Sequence, residues 1–248
     1  MEPLRAPPKA KRWPQPDSLY PSSELGLTRN ALPSKMPIDG GSMNFDSLFE
    51  QSNDLALELL QVINKPLFDE SQRLSVSDLL CSLSMEHGDS ARALLHAGLL
   101  PSALVIHRAQ FEAVVRAIWA LYAATDAQLA KLTSKLTVDT EQAAKNLPSA
   151  TIMIEELDKK APPNAVAPLK EFMAYNWKAL NSYTHSGIHP LRRHQEGYPM
   201  QLIMGALMNV NGMFVVAAMQ ASILTGVPNL QRKVLDAASR YPMVLRHR

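Results

Sequence analysis

Residues 101–124 read PSALVIHRAQFEAVVRAIWALYAA, and the fold is decided there. The run is apolar on nearly every side except for Arg108, Glu112 and Arg116, which recur four residues apart and share one helical face. Leu104, Ile106, Phe111, Val114, Val115, Ile118, Trp119 and Leu121 fill most of the remaining circumference. Such a helix belongs at the centre of a core. Charges there are costly unless paired, so the stripe has a structural or a functional role. His107 sits beside it, rotated off the stripe.

Outward from this helix the pattern stays helical. Asn44 or Asp46 can cap a helix that runs to about Asn64 and ends before Pro66. A second spans about Ser75 to His96, with Gly98 just past its end. Pro101 occupies the first-turn position that proline favours in the third. A more polar stretch from Thr125 follows, then two short helices near 139–145 and 148–160. Another runs from about Val166 to Gly187, and a last one from Pro228 to about Arg240. No run shows sustained alternation, so a sheet is not expected.

The segment between Glu196 and Arg232 contains no Asp, Glu, Lys or Arg and is long enough to cross a bilayer. Gln201, Asn209, Asn211 and Gln220 are spread along it, and no basic anchor adjoins either end. It reads as a central helix, about 199–226, in a soluble bundle, with Met200, Met204 and Met208 as core filler. Part of so apolar a surface could also join two copies.

Eight of the eighteen prolines lie in residues 1–42, which close on Asp39-Gly40-Gly41-Ser42. This portion reads as a disordered arm, or as an extension upstream of a natural start at Met43. The expected organisation is therefore an arm, 1–42, and one all-α bundle of six to eight helices, 43–248. Of the net charge of +2, all is in the arm; the rest carries 19 basic and 19 acidic residues. A neutral body gives no strong field for nucleic acid. The one cysteine, Cys81 in an apolar LLCSL context, excludes an internal disulfide and reads as a buried small side chain. With no apolar leader in MEPLRAPPKAKRW, the expected compartment is the cytoplasm.

Two motifs could carry chemistry. One is the Arg108–Glu112–Arg116 stripe. The other is LNSYTHSGIHPLRRH, 180–194, in which Lys178, Asn181 and His185 share a helical face ending at Gly187 and Pro190. A helix C-terminus favours a protonated His185, and His189, Arg192, Arg193 and His194 follow in the turn. If this helix packs on the third, His185 and Tyr183 approach Glu112 or Arg108. His185-x3-His189 has the spacing of paired metal ligands, but Gly187 and Pro190 interrupt the helix, so no metal or other cofactor is expected. P-loop, GxGxxG and GxSxG signatures are absent.

The segments HRAQFEAVVRAIWALY and NSYTHSGIHPL resemble a group of bacterial all-helical proteins of unknown function over residues 45–225. The matching positions are Arg108, Phe111 and Glu112 in the first, and Ser182, Tyr183 and His185 in the second. More distantly, the chain is similar to HEPN domains, whose RNA-cleaving members use an Arg-x(4–6)-His motif at a dimer interface. Arg240 to His247 meets that spacing, with Tyr241 after the arginine and Pro242 within the motif. The resemblances imply a helical bundle. A pocket for a small anionic or nucleotide-like ligand would use Arg108, Arg116, Asn181, Tyr183 and Arg192, with Glu112 and His185 as candidate catalytic groups. RNA as substrate of a metal-independent ribonuclease is the alternative, and a non-catalytic interaction protein with a purely structural stripe is another.

Overall fold

The computed structural model describes residues 35–38 and 41–246. Ten α-helices lie among them: α1 Phe45–Ile63, α2 Gln72–His96, α3 Leu100–Tyr122, α4 Asp126–Thr133, α5 Val138–Ala144, α6 Ala150–Lys160, α7 Pro163–Thr184, α8 Ile188–Glu196, α9 Met200–Ile223 and α10 Leu230–Ala238. A 3-10 turn, Pro242–Val244, follows. The all-α reading holds, but the expected six to eight helices are corrected to ten. The two additions, α4 and α8, have plain causes. Thr125 and Gln128 form a reciprocal capping box that starts α4, a helix too short to show apolar periodicity. In α8, Pro190 falls in the first turn, where a missing N–H costs nothing, so the proline read as a breaker sits inside the helix.

The expectation of no sheet is corrected at one place. Strands β1, Lys35–Ile38, and β2, Gly41–Asn44, pair antiparallel with Ile38 opposite Gly41. Asp-Gly at 39–40 is a strong hairpin signal that reads equally well as a linker. The remainder of the expected disordered arm lies outside the described residues.

The centre of the molecule is α2, α3 and α9. α2 presents Ser77, Cys81, Ser84, Gly88 and Ala91 on one buried face, spaced by three and four residues. Small side chains let α3 come close enough for the Ser77 and Ser84 hydroxyls to donate to the Ala117 and Gln110 carbonyls, at 2.7 and 3.0 Å. Gly88 is required by this approach: a Cβ there would lie 2.7 Å from Gln110 Nε2 and 3.1 Å from the Phe214 ring. On the far side Gln220 Nε2 donates to Ser77 Oγ at 3.0 Å, joining α9 to α2. α9 is long and apolar enough to cross a membrane, and half of its most apolar window is buried inside the fold. The expected core filler is only partly buried at Met200, Met204 and Met208.

Gln110 ties the three helices together. Its side chain is fully buried, and its Nε2 donates to the Val210 carbonyl of α9 at 3.0 Å. The Oε1 atom then faces His107 Nδ1 at 2.8 Å, and since an amide oxygen only accepts, Nδ1 carries the proton. Burial pushes the His107 pKa down to about 4, with the Gln110 hydrogen bond opposing. The ring is neutral at pH 7, its Nε2 unpartnered, its edge against Phe172. Helix ends are closed by cations. Arg73 donates to the Ala120 and Ala124 carbonyls and Lys160 to that of Ala123, all at the C-terminus of α3.

Two outcomes follow from this core. Gly88→Ala gains helix propensity but must displace the Gln110 amide, so we expect a net loss of about 1–2 kcal/mol in urea denaturation. Unchanged stability would mean that Gly88 is not needed for the α2–α3 approach. His107 binds its proton more weakly folded than unfolded, so stability should fall as pH drops from about 6.5 to about 4, by about 3 kcal/mol from this group. His107→Gln should flatten that part of the pH–stability curve; an unaltered slope would place the acid sensitivity elsewhere.

Candidate functional site

The α3 stripe lies along the seam with α7. Arg108 Nε donates to Glu112 Oε1 at 2.9 Å, and the guanidinium stacks over the Trp177 ring with its carbon 4.8 Å from the centroid. Phe111 stacks on Phe172 at 4.4 Å and meets Trp177 at 5.8 Å, so α7 packs along this face of α3. The pair is partly rather than fully buried: the Arg108 side chain is 19% exposed and that of Glu112 36%. Two donors are nonetheless shut away from solvent with no acceptor, Nη1 of Arg108 and Nε of Arg116. Glu112 therefore satisfies one nitrogen of one arginine and leaves the stripe short of acceptors.

Among the described residues no hydrogen bond, ion pair or ring contact joins the second motif to the first. α7 ends at Thr184, and His185 is its exposed C-cap residue. It lies eight residues beyond Trp177, about 12 Å along the helix axis. Asn181, one turn beyond Trp177, is half-buried on the same α7 stripe as His185. Tyr183 is buried, and its ring stacks with that of His189 at 6.3 Å between centroids. Burial pushes the Tyr183 phenol up, the Arg193 charge opposes this, and Tyr198 adds to it. Arg192 pairs with Glu196 at 2.6 Å on the outer face of α8. His185 and His189 belong to different helices, because Ser186 between them adopts φ 52. Among the described residues no group of three or more His, Cys, Asp and Glu could hold a metal ion. Arg240 pairs with Glu58 of α1, and His247 lies outside the described residues.

Sequence reasoning missed two features. Gln110 stands in an otherwise apolar face of α3, and its isolation there was the available signal. The other is a groove of about 1220 Å³ between α7, α9 and α10, with Ile118 and Tyr122 of α3 contributing to its wall. It does not include the charged stripe. Its signal was Gly212, a glycine in the middle of a long apolar helix.

Residues 81–247 match the model of a family of unknown function, DUF6988. No curated protein and no solved structure matches the chain. Similarity to HEPN domains is not among these findings, whereas an all-helical family without assigned activity is. The matched span begins within α2 and takes in α3, α7 and α9, which hold the charged stripe, its Trp177 partner and the groove. By that match, the chain belongs to the DUF6988 family.

Proposed function

We propose that residues 43–248 form one cytoplasmic helical-bundle domain that binds a small oxyanion on the α3 stripe, at the seam with α7. The observation that carries this reading is the shortage of acceptors: Arg108 Nη1 and Arg116 Nε are buried N–H donors without partners, two turns apart on one face. An unsatisfied buried donor costs stability, and a carboxylate or phosphate oxygen accepting from either one would remove that cost there. Guanidinium groups suit this because their donors lie in a rigid plane, and Trp177 fixes the plane of Arg108 by stacking. Glu112 orients Arg108 through Nε and leaves Nη1 for the ligand. Asn181, one turn along α7, would extend recognition toward a nucleotide-like group. Tyr183, Arg192 and His185 are further along α7 and α8, so they would meet only a ligand longer than phosphate.

A purely structural stripe is the competing reading, favoured by the Arg108–Glu112 bond being internal to α3. That bond explains one nitrogen and leaves the two orphaned donors without a role. The ribonuclease reading has less support, since it requires His185 beside the arginines.

Thermal unfolding at low salt with inorganic phosphate and with AMP separates the first two. A ligand present at ten times its Kd adds about 1.4 kcal/mol, which for a chain of this size raises Tm by about 3–6 °C. We expect that rise for the parent and its loss in Arg116→Gln. A parent unresponsive to both anions, or an equal rise in the variant, would leave the stripe with packing alone.

A further inference from the structure

Gly212 lies mid-way along α9, where glycine is the least favourable residue short of proline. Packing within the chain accounts for Gly88, whose absent Cβ makes room for Gln110. It does not account for Gly212: a Cβ there would meet no atom within 4 Å. The missing side chain instead keeps space open in the groove between α7, α9 and α10. Glycine at such a place lets something outside the chain approach the backbone closely.

The groove indicates what that is. Along α9 it is lined by Met208, Val215, Val216, Met219 and Ile223, an uncharged face that continues to Leu235 of α10. From Met208 to Ile223 this face is about 22 Å long. The amides on α9 are occupied, since Asn209 Nδ2 donates to Asn176 Oδ1 of α7 at 3.0 Å and Gln220 is bonded to Ser77; Asn164, Asn229 and Gln231 also line the groove. Among the described lining residues Arg246 is the only cation and Glu171 the only acid. Arg246 stands at one end, its Nη2 3.8 Å from the Cβ position of Gly205. A groove with one long, mostly apolar face and a single lining cation at one end complements a molecule with a long apolar chain and one negative terminus.

We propose that this groove binds a long-chain monocarboxylate, its chain along the α9 face opened by Gly212 and its carboxylate at Arg246. The site is separate from the α3 stripe and shares none of its arginines.

The test uses the full chain and displacement of a fluorescent fatty acid by palmitate, followed by emission. Palmitate should displace the probe from the parent, and equally from Arg116→Gln. Gly212→Phe places a ring in the groove at a position with room for it, so the variant should stay folded by circular dichroism and lose probe binding. Arg246→Gln should weaken palmitate by about tenfold, the worth of a charge-assisted hydrogen bond, while leaving affinity for the uncharged alcohol of the same chain unchanged. Probe that never binds the parent, or binds a folded Gly212→Phe as tightly, overturns the proposal. So does Gly212→Phe dissociating a parent dimer in light scattering while palmitate fails to bind, which would give the groove to a second copy of the chain.

Discussion

One buried amide holds the architecture together. Gln110 is surrounded by apolar side chains, and each of its polar atoms has a partner on a different element or turn: Val210 on α9, His107 one turn back, and Ser84 of α2 on its main-chain carbonyl. A buried amide with an unmet donor or acceptor is costly, so these bonds fix the rotation and register of α3 against both neighbours more sharply than apolar contact could. The small-residue face of α2 is a consequence. Ser77, Ser84 and Gly88 are what allow the backbones to approach until a glutamine can span them.

With α3 pinned on that side, its charged stripe is turned toward α7 at the margin of the core. There the Arg108 guanidinium is covered by the Trp177 ring while Glu112 keeps contact with water. This geometry makes a stripe tolerable in an apolar helix. It also explains why the stripe is not a buried ion network: solvent reaches the half-buried Glu112 carboxylate and screens the pair, and the bond that Glu112 makes is to Arg108. α8 packs chiefly on its neighbour α7 and has no fully buried side chain, so the histidines and arginines it carries lie at or near the surface.

The central helices were legible because their signals are local and repeated. Apolar residues at helical spacing marked α3 and α9, and Pro101 and Gly98 marked the α2–α3 junction, where Gly98 takes φ 76. The charged stripe was equally legible, since a period of four needs no tertiary information. Elements of eight or nine residues were not, because one turn of pattern cannot outweigh a proline such as Pro190 or a polar composition such as that of α4. The relation between the two motifs depended on how far α7 slides along α3. Phe172 and Trp177 set that offset by their contacts with Phe111 and Arg108, which no spacing within either segment encodes. The groove was hidden for the same reason, being a property of three helices that do not fully close over one another.

The central claim is that the α3 stripe is retained for something it binds rather than for what it adds to the fold. Urea denaturation of Arg116→Met against the parent tests it most directly. Methionine keeps the apolar stem and removes a guanidinium whose Nε is buried without an acceptor, so stability should be unchanged or higher. A loss of about 3–5 kcal/mol, the cost of breaking a buried charge network, would show that the stripe is part of the packing and contradict the account.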